Sequence, residues 1–492
     1  MYSISMKTHQ LYFLLFILIG LCGCEKQLEE PVYSQLEPEG FLATEEGVNS
    51  LLNAAFAEGY INGYEGKNRV MLENWSTDIE WETDGAENRT ASQVTNFTLD
   101  ASLDWLFGTM WLRPYRAIRN ANLLLDNIDK ATISDEDKAV YVAEARFIRV
   151  LSYVHLYSWF GSVPLRTSSN DPLELPRAED AVLRQFIADE LLAVAKVLPD
   201  PGSEKNYGRP NKGAAMALLC KFYLNTKQWQ KAADQAQALI DLNLYSLYAN
   251  YENLFKVENE RNSEFILVNP QSPQGAGMNY MNGAFPPGFA SDPRTGLTMR
   301  SNWANWAAQY RLYDTFYNSF DDDDNRRNLI LTRYINTQGA TVSLLNNNNT
   351  RSFKYWPDAN AIGNEHGNDM SEIRYADILL SRAEALNELN GPNQESIDLV
   401  NQIRQRAGLG AKPLTIGQFS SKEDFREHLL KERGWEFYAE VGIRREDLIR
   451  MDRFIASAHE RGKTNAQDYH RFFPIPQAAL DADPSLAQNE GY

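Results

Sequence analysis

The residues best equipped for chemistry here are rings set among amides and hydroxyls. Tyr280, Phe285, Phe289, Trp303, Trp306, Tyr310 and Tyr313 all fall within 262–372, a stretch otherwise rich in Asn, Gly, Pro and Ser. Disordered segments are poor in aromatics, so a long loop-rich region with this many rings reads as functional. Trp303 and Trp306 stand out because Ser301, Asn302 and Asn305 surround them. An indole in a polar loop suits noncovalent binding, with ring stacking supported by hydrogen bonds alongside.

Covalent chemistry has less support. The chain lacks GxSxG, HExxH, a P-loop and GxGxxG, and no CxxC or Cys/His spacing suggests zinc. Asp321–Asp324 offers clustered carboxylates to a cation such as calcium, but without an EF-hand pattern it reads as a solvated acidic turn. With 66 acidic residues a close carboxylate pair arises by chance, so a glycoside hydrolase stays an alternative with no acid or base assigned. No catalytic residue, metal or cofactor is assigned.

The thiols point to location. Lys7 precedes an apolar run, Leu11 to Gly20, that is too short to span a bilayer and suits a signal-peptide core. The following Leu21-Cys22-Gly23-Cys24 resembles a bacterial lipobox. That resemblance implies removal of residues 1–23 as a lipoprotein signal peptide and lipidation of Cys24. Several acyl chains suffice to hold a soluble domain on a membrane. Cys220 is then the one remaining thiol, so an internal disulfide is excluded. It lies among Leu218, Leu219, Phe222 and Tyr223 and reads as a small core hydrophobe. The net charge of −18 argues against nucleic acid or an anionic membrane surface as partner.

The elements that must position these residues read mostly as helices. Thr44–Gly59 is expected to be one, capped by Thr44, and Ser134–Phe160 another, with Ser134 as cap and Asp135 and Glu136 behind it. Residues 60–100 read as mixed and loop-rich, Leu103–Ile128 as a single helix, and Ala178–Leu198 as one more. Gly213–Leu242 reads as a helix pair, because Leu219, Tyr223, Trp229, Ala232 and Ala236 fall at tetratricopeptide offsets. A looser copy is Arg374–Ala407, broken at Gly391-Pro392. Trp111, Trp159, Trp229 and Trp435 lie on apolar helical faces and are assigned to the core. Glu264–Val268 and Leu329–Ile335 are the strand-like pieces of 262–372. Periodicity alone thus gives an α-helical, repeat-like scaffold.

Several motifs then coincide. Glu144-Ala-Arg-Phe-Ile-Arg149 leads to Phe160-Gly-Ser-Val-Pro-Leu165, and Gly208-Arg-Pro-Asn-Lys-Gly-Ala-Ala215 opens the repeat pair. Ile373-Arg-Tyr-Ala-Asp-Ile-Leu-Leu380 precedes Ala383-Glu384-Ala385. Near the end come Glu432-Arg433, Glu436, Glu440, Arg444, Asp447-Leu448-Ile449-Arg450, Phe473-Pro-Ile-Pro476 and Gln488-Asn-Glu-Gly-Tyr492. In order and spacing they resemble the SusD/RagB family of Bacteroidetes surface lipoproteins, across the whole of 24–492. Two departures stand out. Glu440 to Asp447 is one residue longer than the family pattern, with Val441 as the extra residue, and Glu490 replaces the usual proline.

The resemblance implies a mainly α fold: a tetratricopeptide-like helical-pair scaffold (an α/α superhelix) with an irregular, loop-rich second part containing short strands. It divides the SusD-like domain, 24–492, into an N-terminal helical part (24–261), a loop-rich ligand-binding insertion (262–372) and a C-terminal helical part (373–492). It implies a protein on the outer membrane, facing the exterior by its lipid anchor. There it would bind an oligosaccharide, or in some branches a peptide, and pass it to a SusC-like TonB-dependent transporter. The family's hallmark motifs are mainly structural, so Arg146, Arg149, Glu432, Arg433 and Asp447 are read as ion-paired scaffold residues. Regions comparable to family ligand sites, 70–105 and 280–310, hold Trp75, Asp78, Trp81, Arg89, Tyr280, Phe285, Trp303 and Trp306. These types suit a sugar. The C–H face of a pyranose stacks on an aromatic ring, and its hydroxyls need fixed donors and acceptors.

Overall fold

A computed structural model describes residues 38–61, 64–85 and 87–492. The signal peptide and Cys24 lie outside the described residues.

Local signals set several helix ends. Helix Glu45–Gly59 starts where the Thr44 hydroxyl accepts the Gly47 N–H at 3.1 Å. Helix Asp135–Phe160, the longest of the scaffold, starts where Ser134 accepts the Asp137 N–H at 3.1 Å, with three acidic residues in its first turn. It stops at Gly161, whose φ of 72° favours glycine. It packs against Arg113–Asn127 and Asp180–Val194. Lys212–Asn225 and Trp229–Ile240 form the expected pair, with Ala232, Ala233 and Ala236 buried so that the two backbones approach closely. Tyr375–Asn390 and Gln394–Arg404 form the second pair, turned at Gly391 (φ 73°). Cys220 is fully buried, and burial pushes its thiol up to about 12, as suits a core hydrophobe.

Three readings change. Leu103–Ile128 is not one α-helix. Leu106–Leu112 is a π-helical stretch, and the α-helix begins only at Arg113, where Pro114 fits its first turn. Residues 60–100 are more helical than expected, with helices Tyr64–Asn74 and Asn88–Thr95. Trp111 and Trp159 are core, but Trp229 and Trp435 are only half-buried, and the Trp435 Nε1 donates to Ser319 Oγ at 2.9 Å.

The loop-rich part is closed at its base by strand Phe265–Asn269, antiparallel to Met370–Arg374. Between these two strands lie the three-stranded sheet Phe289–Ser291, Arg333–Asn336, Thr341–Ser343 and the pair Ile330–Leu331 with Arg351–Ser352. A further short strand, Glu80–Trp81, pairs with Arg311–Leu312 and ties the 70–105 region to this part. The fold is therefore mainly α, with helical pairs carrying an irregular part that has short strands.

Buried ions join the two parts. Arg374 meets Glu264 at 2.6 Å and Glu440 at 2.8 Å, and also pairs with Glu436. Arg326 meets Asp324 at 2.7 Å and Glu432 at 2.6 Å. Arg433 bridges Asp377 and Asp447, both at 2.8 Å. Arg146 and Arg149 share Glu190 at 2.7 and 2.8 Å. The motif charges are thus scaffold ion pairs. The Asp321–Asp324 turn is engaged by Lys412, Arg327 and Arg326. Val441 is accommodated by Gly442, whose φ is 70° and whose missing Cβ leaves room for the Glu73 carboxylate.

Candidate functional site

The loop 301–310 is shaped by its own polar residues. Asn305 donates to the Pro286 carbonyl at 2.9 Å and accepts the Ala307 N–H at 2.9 Å, which holds Ala307 at φ 50°. The Trp306 N–H donates to the Asn282 carbonyl at 2.8 Å. These bonds leave the Trp306 indole half-buried, with its Nε1 donating to Asn364 Oδ1 at 2.9 Å. A second loop, 82–85, runs against the first. A Cβ on Gly85 would meet the Ala308 carbonyl oxygen at 1.9 Å, so only glycine permits the approach.

Lys67 lies where these loops meet. Its ammonium is 5.0 Å from the Trp306 ring centroid, 5.6 Å from that of Trp105, and 2.6 Å from the Glu87 carboxylate. Two half-buried indoles therefore flank one cation. Beside them Arg89 and Asp104 pair at 2.9 Å, both largely exposed. The outcome is two ring faces with a guanidinium, carboxylates and the exposed Asn364 amide around them, an arrangement that suits a polyhydroxylated ligand with an apolar face.

Of the expected site residues, Trp306 and Arg89 come together here. Trp81 is half-buried nearby. It stacks on Tyr313 with centroids 5.8 Å apart, and its Nε1 donates to the Asn348 carbonyl at 3.0 Å. The others are engaged by the protein itself, and Trp75, Tyr280 and Phe285 are buried in the core. Trp75 is 1% exposed and packs edge-on against Tyr310. Tyr280 is equally buried, and its hydroxyl donates to Glu80 at 2.7 Å. Phe285 is fully buried and stacks on Trp303. Trp303 is 7% exposed, with its Nε1 donating to the Asp358 carbonyl at 2.7 Å, so it is mostly a packing residue despite its polar neighbours in sequence. Asp78 is gripped bidentately by Arg444, at 2.7 Å from each oxygen. Burial alone would raise its carboxyl, but Arg444 outweighs burial and holds it below the usual range.

Sequence reasoning missed Trp105 and Lys67. Trp105 had been placed inside a continuous helix, and the polar run Asp100–Asp104 before it was the available signal. Lys67 carried none, because its role depends on rings 38 and 239 positions away in the chain.

Comparison with known proteins covers the whole length. A family model described as the SusD family matches residues 225–492, and one described as starch-binding, associating with outer membrane, matches 26–224. SusD-like protein P25 of Formosa agariphila is 27% identical over 99% of this chain and 100% of its own length. Starch-binding protein SusD of Bacteroides thetaiotaomicron is 24% identical over 82% of each. The crystal structure of a SusD homolog from Bacteroides thetaiotaomicron superposes with a TM-score of 0.80 at 25% identity, covering 93% of this chain and 99% of that one.

Proposed function

Because the chain belongs to the SusD family, we propose that it is a surface lipoprotein that binds a glycan and hands it to a SusC-like TonB-dependent outer-membrane transporter. Cys24 carries the lipid. Glycan binding is supported chiefly by one observation: the half-buried indoles of Trp105 and Trp306 on either side of the buried Lys67, with Arg89, Asp104 and Asn364 supplying hydrogen bonds. Trp81 contributes from the adjoining strand. A match described as starch-binding, and a relative named for binding starch, agree with a sugar as ligand. Among the described residues no helix is long and apolar enough to cross a membrane, which agrees with anchoring by lipid.

Incubating the purified protein with a glycan panel and a peptide pool tests this reading. Retention of a glycan without cleavage is the expected result. Released products would favour the hydrolase alternative, and retention of peptides alone would move the ligand class. Pull-down from native membranes in mild detergent is expected to recover a much larger outer-membrane protein. Recovery as a lone monomer would remove the transporter from the proposal.

A further inference from the structure

A second cavity adjoins the indole pair. Its volume is about 380 Å³, within the range of small-ligand sites. Trp303, Trp356, Lys256, Glu258, Arg300 and Asp358 contribute to its lining. One loop serves both places: the Asp358 carbonyl receives the Trp303 Nε1, and Asn364 receives that of Trp306. Two residues lie between Trp303 and Trp306, a span of at most ~11 Å of extended chain.

Its charges are arranged unusually for so acidic a chain. The Arg300 guanidinium lies 5.5 Å from the Trp303 centroid and the Lys256 ammonium 5.4 Å from that of Trp356. Neither has a carboxylate at ion-pair distance among the described residues, although acids outnumber bases 66 to 48 in the chain. Among the described residues the Arg300 side chain makes one hydrogen bond, a long one, 3.5 Å to the Ala359 carbonyl. A guanidinium stacked on a ring keeps its in-plane N–H groups free to grip a planar or tetrahedral anion bidentately. Asp358 also lines the cavity, with its carboxylate bonded to its own loop. It is 5% exposed, and its oxygens accept the backbone N–H groups of Asn360 and Gly367 at 2.8 and 3.0 Å. Glu258 is exposed at the rim and would repel an anion there.

We propose that this cavity is a subsite for an acidic sugar, one carrying a carboxylate or a sulfate ester, with Arg300 and Lys256 binding the anionic group and Trp356 lying against the ring. The proposal rests on the glycan-binding reading above and narrows its ligand class.

Calorimetric titration of the full-length mature protein tests it. The probes are uronate-bearing and sulfated oligosaccharides, each paired with its neutral twin made by carboxyl reduction or desulfation. At least one anionic probe is expected to bind tenfold or more tighter than its twin, and which one does identifies the group. Arg300→Gln and Lys256→Gln are each expected to weaken that probe about tenfold, or ~1.4 kcal/mol, and to leave the neutral twin unchanged. Glu258→Gln is expected to strengthen it. Both cations are solvent-accessible, so unaltered melting temperatures separate lost binding from lost folding. If each anionic probe binds no better than its twin, or if both twins weaken equally in the variants, the acidic-sugar proposal is overturned and glycan binding survives. If no probe binds at all, the acidic-sugar proposal falls, and the glycan panel alone decides the reading it rests on.

Discussion

Trp303 and Trp306 look alike in sequence and should behave oppositely when cut to alanine. Trp303 is 7% exposed, stacks on Phe285 at 5.8 Å and spends its Nε1 on Asp358. Removing a buried indole costs ~3–5 kcal/mol of folding stability. At roughly 2.1 cal/mol/K per residue, a chain of this size changes by ~1 kcal/mol per degree near its midpoint, so Trp303→Ala should melt ~3–5 °C early. Trp306 has less to lose. It is half-buried, donates its Nε1 to Asn364, and its contact with the buried Lys67 ammonium is worth ~2 kcal/mol. Trp306→Ala should therefore shift the melting temperature by ~2 °C, less than Trp303→Ala. An aromatic anchor at a binding site instead costs ~2 kcal/mol of affinity, about thirtyfold. The assay is a paired measurement on each variant, thermal unfolding by calorimetry and affinity for a glycan retained by the parent protein. Trp105→Ala should follow Trp306→Ala. The reasoning is refuted if Trp306→Ala binds as tightly as the parent, or if Trp303→Ala keeps its stability while losing the ligand.

Other perturbations probe the scaffold and the anchor. Arg374→Met removes the cation shared by Glu264, Glu436 and Glu440, leaving these buried acids with Arg406, Arg326 and Lys354 as remaining partners, and should cost ~3 kcal/mol in urea unfolding; an unchanged midpoint would show that the ion cluster does not hold the loop-rich part to the helices. Burial, only partly offset by the Tyr280 hydroxyl bond, raises the Glu80 carboxyl from 4.5 to about 7. Its share of stability is therefore present below pH 4.5 and lost as pH rises through 7. Glu80→Gln should gain on the parent by ~3 kcal/mol between pH 4.5 and pH 8, and parallel pH profiles would contradict this. In the opposite direction, Arg326 and its neighbours outweigh burial and hold Glu432 down to about 2, so its contribution should vanish as pH falls from 4.5 through 2, visible as acid unfolding that Glu432→Gln flattens. Cys24→Ala should leave the protein in the aqueous phase on detergent partitioning, whereas unchanged membrane attachment would remove the lipid from the proposed function.

The family and the helical frame were legible without coordinates because their signals are local. Caps such as Thr44 and Ser134, stops such as Gly161 and Gly391, and the small-residue spacing of Ala232 and Ala236 act within one or two turns of helix. The ion pairs of the hallmark motifs were legible too, through the family resemblance, since charges built into a scaffold must be partnered when buried. The ligand surface was not. Whether a loop tryptophan faces water depends on what the rest of the chain stacks against it, and those partners are remote. Asp78 is claimed by Arg444, 366 positions away, and Trp303 is covered by Phe285 and by a loop more than fifty residues further on. Sequence determined that rings would lie in polar loops. Tertiary packing decided that Trp306 and Trp105 stay partly exposed while Trp75, Tyr280, Phe285 and nearly all of Trp303 become core, because burial is a property of distant segments meeting and not of the residues beside each ring.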